Sequence, residues 1–412
     1  MSAGNFDAIS ALMKFGLFYQ LACSADQSPV QRYRDTLEQA VYAEALGFES
    51  IWPGEWHFVP GFSILPSPLL LLAAVAERTK SLRLGIAVIP LPLYHPVRLA
   101  EEIATLDILS NGRVEFGIGR GLDDKQLIGF GIPQAETHER LREGLEIVRK
   151  AWTEARFSYR GRFFNIEDLS VVPKPVQQPH PPIRVAANSP GTFELMGRLG
   201  YPIFAASHII PYTRIKELLA LYHQAHAAAG HQSNDPDDFT LLSPLYVGES
   251  PAQIRQDLEQ SLIYWRNTLK LLRTPVSITD IIRNWRPYAE SWVELALKVA
   301  PHRVAVPLRA VIERAHRMNY ERMNKTMAIF DTPERCVDRL ACLQEDFKMG
   351  RMICWFNLGG QVPHLRVMRS MELFAERVMP HFQSRSERDA RLRGPSLAAD
   401  LYGARPARAG AG

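Results

Sequence analysis

The feature that most constrains this 412-residue chain is a repeated switch of hydrophobic period. Short apolar runs alternate with longer stretches whose apolar residues recur every three or four positions. The runs are "KFGLFYQ" from Lys14, "ESIW" from Glu49, "LRLGIAVI" from Leu82, "VEFGIG" from Val114, "IRVAA" from Ile183, "PIFAAS" from Pro202, "FTLLSPLYVG" from Phe239 and "RMICWFNLGG" from Arg351. Each reads as a buried strand leading into a helix. In the first helix Leu37, Val41 and Ala45 are spaced by four, and Gly47 stands where a left-handed cap belongs. Later helices are expected in "SPLLLLAAVAERT", in "VRLAEEIATLDILS", over roughly 135–154, from near Pro190, over 212–229, from near Pro251 and in "PERCVDRLACLQEDFKMG". Strand, helix and strand in steady succession predict parallel strands joined by helical crossovers. Eight such units predict an α/β fold, a closed (β/α)8 TIM barrel.

Three segments fall outside the alternation. Residues 1–13 read as an N-terminal extension and 384–412, rich in Arg, Ala and Gly, as a disordered tail. Within the barrel of 14–383, residues 272–328 read as a helical insertion between the seventh and eighth units. Following strand seven, it is expected to cover the barrel mouth as a lid or pocket wall, with Trp285 or Trp292 toward substrate. The stretch from Phe157 to Pro182 reads as a loop or hairpin.

Composition narrows the function. A net charge of +4 gives no electrostatic case for nucleic acid or an anionic membrane. No run of about 18 apolar residues suggests a membrane span. "MSAGNFDAIS" lacks the basic-then-apolar order of a signal peptide, so a cytoplasmic location is expected. The four cysteines form no Cys-x-x-Cys, and no His-Glu-x-x-His is present, so no metal site is expected.

The run "VEFGIGRG" places Gly117, Gly119 and Gly121 around a strand end, with Arg120 among them. The spacing is Gly-x-Gly-x-Gly, not the Gly-x-Gly-x-x-Gly of a dinucleotide fold, and no acidic residue follows at the end of a next strand. In a (β/α)8 barrel, sites form at the carboxyl ends of the strands, where Arg120 would lie. Its guanidinium suits a phosphate, and the glycines admit backbone amides. After strand five, "ANSPGT" puts Asn188, Ser189 and Thr192 at a helix start, a place that favours an anion. Ser189 also reads simply as an N-cap.

These features and four longer stretches carry a resemblance. "AEALGFESIWPGEWHF", "LGIAVIPLPLYHPVRLAEEIATLDILSNGRVEFGIGRG", "PPIRVAANSPGTFELMGRLG" and "FNLGGQVPHLRVMRSMELFAERVMPHF" resemble the bacterial luciferase-like, flavin-dependent monooxygenases. The resemblance implies reduced FMN as cofactor, delivered by a separate flavin reductase, with O2 and an organic small molecule as co-substrates. It also implies a homodimer. It places the FMN phosphate on Arg120, Ser189 and Thr192, with Asn188 beside them and Arg140 as a second phosphate arginine. It matches Ala87-Val88 to a non-proline cis peptide against the flavin ring.

Two departures stand out. The family's luciferases carry Glu-His-His-Phe after strand two, whereas this chain has Glu55, Trp56, His57 and Phe58. His57 is then the candidate acid/base group, with a structural hydrogen bond as its other reading. Trp56 is a candidate wall of the substrate pocket, and His208, after strand six, a candidate pocket residue and alternative base. Gly119 stands where luciferase has cysteine. Hydroxylation and Baeyer–Villiger outcomes stay open. So do a deazaflavin-dependent hydride transfer and a non-catalytic partner subunit.

Overall fold

The computed structural model describes residues 12–121, 123–231, 235–269 and 320–384. Its strands are β1 (Lys14–Tyr19), β2 (Ser50–Pro53), β3 (Arg83–Gly85), β4 (Ile89–Pro90), β5 (Val114–Gly119), the hairpin β6 (Phe157–Arg160) and β7 (Asn165–Leu169), β8 (Ile183–Ala186), β9 (Ile203–Ala206), β10 (Phe239–Val247), β11 (Ile329–Asp331) and β12 (Arg351–Trp355). β1, β2, β3 with β4, β5, β8, β9, β10 and β12 pair in parallel in that order. β12 returns to β1, from Lys14↔Arg351 to Leu17↔Cys354, and closes the ring. The barrel is the one the alternation predicts.

The crossover helices are α1 (Pro29–Ala45), α2 (Pro68–Ala76), α3 (Pro96–Leu109), α4 (Asp124–Gly129), α5 (Thr137–Thr153), α6 (Pro190–Leu199), α7 (Tyr212–Ala228), α8 (Pro251–Leu269), α9 (Tyr320–Thr326), α10 (Pro333–Phe347) and α11 (His364–Arg377). Six of them begin on proline. Proline's fixed φ suits the first turn, and its missing N–H has no partner there anyway. Ser28 caps α1 by accepting from the Gln31 amide, and Ser189 caps α6 by accepting from that of Thr192.

The lumen is filled from below. At the starts of their strands, the Arg83, Arg184 and Arg351 side chains converge on Glu115, with Arg83 Nε 2.6 Å and Arg184 Nε 3.2 Å from its oxygens. Burial alone would raise the Glu115 carboxyl, but the three guanidiniums outweigh it and hold it at about 2. Above this layer lies Trp52, fully buried. A Cβ on Gly85 would fall 2.2 Å from its indole, and one on Gly16 2.8 Å from its Nε1, so only glycine fits at either position.

Two elements differ from the sequence expectation. "LRLGIAVI" divides into β3 and β4 around a cis Ala87–Val88 peptide. β11 is an added parallel strand, its three residues paired with Leu245–Val247 at the end of β10. It begins directly after the stretch assigned to the insertion. α9 is the described part of that insertion. The rest, with Trp285 and Trp292, lies outside the described residues, as does the tail beyond Ser384. Among the described residues, no helix is long and apolar enough to cross a membrane.

Candidate active site at the carboxyl ends of the strands

Because every barrel strand runs the same way, the segments that follow them share one rim. Glu55, Trp56 and His57 follow β2, Ala87 and Val88 separate β3 from β4, Arg120 follows β5, Asn188 to Thr192 follow β8, and His208 follows β9. β5 and β8 are neighbours, in register at Ile118↔Val185. Arg120 and Ser189 therefore leave adjacent strand ends. Ser189 Oγ and Thr192 Oγ1 stand 2.9 Å apart at the start of α6.

The strand ends between these groups are tightly packed. A Cβ on Gly119 would meet Val88 Cγ2 at 2.8 Å, and one on Gly54 would meet the Ala87 carbonyl oxygen at 2.8 Å and the Phe18 ring at 3.3 Å. From Phe18 a largely buried aromatic series continues beneath the rim. Phe18 meets Trp355 edge-on at 4.9 Å, Trp355 meets His208 at 5.0 Å, and His208 meets Trp265 at 6.4 Å. Burial pushes the His208 imidazole down to about 3, and its Nδ1 has no partner. His208 is therefore held neutral among tryptophans. Trp56 packs edge-on against Phe62 at 4.4 Å.

His57 is differently placed. Its Nε2 is 2.8 Å from Glu55 Oε1, and the Tyr94 hydroxyl donates to Glu55 Oε2 at 2.7 Å. The Glu55 side chain is shut off from solvent, whereas His57 keeps some exposure beneath the exposed rings of Phe58 and Phe130. Burial raises the Glu55 carboxyl, and the hydrogen bonds from His57 and Tyr94 only partly offset this. The acid thus has two fixed donors, the His57 imidazole and the Tyr94 hydroxyl.

The two arginines part company. Arg120 Nη1 lies 3.0 Å from His138 Nε2 in the first turn of α5. Arg140, half a turn further along, is tied to Glu136 at 2.9 Å and stacked on the Phe163 ring at 4.2 Å. Cys23 sits in the turn before α1, 3.5 Å from the Gln27 carbonyl oxygen, its thiol raised by burial.

A family model described as luciferase-like monooxygenase matches residues 13–347. The chain belongs to this family. Among luciferase-like relatives, the oxygenase component of a flavin-dependent trigonelline monooxygenase from Acinetobacter baylyi is 31% identical over 242 residues, 58% of this chain and 66% of that protein. The chain thus spans just under two thirds of that relative's length. The alkanal monooxygenase alpha chain of the Kryptophanaron alfredi symbiont is 28% identical over 91% of this chain and 99% of its own. The crystal structure of monooxygenase RslO1 from Streptomyces bottropensis superposes with a TM-score of 0.70 at 27% identity, covering 90% of this chain and all of that one.

Sequence reading singled out Glu55 only as part of a motif and gave no role to Tyr94 or His138. Tyr94 lies in "PLPLYHP" just past β4, and nothing in the spacing joins it to a residue 39 positions earlier.

Proposed function

We propose that this chain is the oxygenase of a two-component system. It takes reduced FMN from a separate flavin reductase and uses O2 to place one oxygen atom in an organic small molecule, the other leaving as water. The residues fit FMN. Arg120, Ser189 and Thr192 would hold the phosphate, with Asn188 beside them, and the close-packed strand ends at Gly54, Ala87, Val88 and Gly119 would back a flat ring. The observation that carries this reading is that a guanidinium and a hydroxyl-bearing helix start follow adjacent strands at one rim. Arg140 would act on the phosphate only by leaving Glu136.

When bound, reduced FMN supplies the electrons that activate oxygen. The chain's own residues orient it, exclude water and manage protons. His57 is the proton-transferring group, held through Nε2 by Glu55 and thus presenting Nδ1. Trp56 forms a wall of the substrate pocket. Phe18, Trp355, Trp265 and neutral His208 make a largely apolar layer beneath the rim, which suits an uncharged or aromatic substrate better than an ionic one.

Anaerobic titration with reduced FMN tests the reading. Submicromolar binding is expected, weakened by about 10-fold to 100-fold in Arg120→Ala, the scale of a lost charge-assisted hydrogen bond. Riboflavin, lacking the phosphate, should bind both proteins alike. Failure of the unmodified protein to bind reduced FMN while it binds a reduced deazaflavin would replace the oxygenase with a hydride-transfer enzyme. Binding of neither would leave a non-catalytic partner subunit.

A further inference from the structure

We propose that His138 is a second ligand of the cofactor phosphate, recruited by protonation when the anion arrives. The inference rests on the FMN reading above and extends it to a residue on a different element. His138 is the second residue of α5, yet its Nε2 lies 3.0 Å from the Nη1 of Arg120, which leaves β5. A guanidinium has only donors, so at this contact the imidazole accepts and is neutral. The pairing joins two groups that would each gain more from an anion. A phosphate oxygen placed near Arg120 can turn the imidazole from acceptor to donor, provided that it takes up a proton.

The surroundings support this. His138 is exposed, so the contact is not a consequence of core packing. Burial of part of the ring and the charge of Arg120 hold the imidazole below its ordinary value before any anion binds. On its own helix the two nearest carboxylates are engaged elsewhere, and Arg142, one turn on, is a further cation. Glu136 pairs with Arg140, and Glu139 pairs with Arg162 of the hairpin at 2.9 Å. Among the described residues, Arg120 is the charged group that acts on the ring. A dianionic phosphate beside Arg120 would reverse that field and favour imidazolium.

The site would then bind FMN with proton uptake, holding it more tightly in mild acid. Because the phosphate itself titrates near pH 6, the His138 share must be read against a variant. FMN affinity is measured by fluorescence quenching at pH 6 and pH 8 for the unmodified protein, His138→Gln and His138→Arg. Riboflavin serves as the phosphate-free control. His138→Gln should weaken FMN roughly 10-fold at pH 6 and by about twofold or less at pH 8, a charge-assisted contact against a neutral one. His138→Arg should keep the affinity and lose the difference. Calorimetry in buffers of different ionisation enthalpy should find proton uptake at pH 7 in the unmodified protein, in excess of that in His138→Gln. Equal weakening at both pH values, or equal proton uptake in the two proteins, would overturn the role of His138 and leave the FMN site intact. No FMN binding by the unmodified protein would overturn both.

Discussion

The Glu55 carboxylate stands 2.8 Å from His57 Nε2, at the end of β2, and its second oxygen is held by Tyr94 from beyond β4. A sealed acid clamped by two strand-end segments fixes which way the imidazole faces. His57→Gln should lower single-turnover oxygenation by about 10²-fold or more, the range of a lost acid/base group. Glu55→Gln, which keeps the shape but removes the charge, should cost about 10-fold. FMN affinity, measured alongside, should stay within about twofold in both. Unchanged turnover in His57→Gln would move the proton-transferring role elsewhere.

At the opposite end, Glu115 answers three arginines, two of them buried and Arg83 half-buried. Glu115→Gln leaves their charges facing one another, and losing one partner of a buried ionic set costs about 3–5 kcal/mol. The denaturant midpoint at pH 7 should fall accordingly. The folded-state carboxyl lies at about 2, against an ordinary 4.5. Its stabilisation is therefore complete above about pH 4.5 and lost as pH falls toward 2. Unfolding curves recorded down this range should converge with those of the variant, and curves that stay parallel would count against the assignment.

His208 offers a second acid-sensitive element with a different window. Its ordinary value of 6.5 is pushed down to about 3 by burial, so below pH 6.5 the unfolded chain takes up a proton that the folded one refuses. Stability is lost as pH falls from 6.5 toward 3. His208→Phe keeps a ring between Trp355 and Trp265 and removes that proton. The variant should match the unmodified protein at pH 7.5 and outlast it at pH 4.5, as read by thermal unfolding. An identical pH dependence would show that His208 is open to solvent in the folded state.

The barrel was readable because each strand is a short buried run with a helix start after it, usually marked by proline. All eight barrel strands follow that rule. β11 escaped because three residues carry no period, and its pairing extends β10 past the ring. Rim positions were readable wherever a motif is local: Arg120 among glycines after β5, and Ser189 with Thr192 at the start of α6. Contacts were not readable where two segments meet only after the ring closes. Tyr94 reaches Glu55 because β4 lies near β2 in space, and His138 reaches Arg120 because α5 begins at the same rim as β5 ends. The resemblance offered Arg140 as a second phosphate arginine; in the structure it pairs with Glu136 and stacks on Phe163.

Trp52, with glycines on two sides and an ionic plug beneath, makes the cylinder a vessel with a floor. Traffic is then one-ended. For the proposed oxygenase, oxygen, substrate and product would all pass the carboxyl-end rim, so product would have to leave before the next substrate enters.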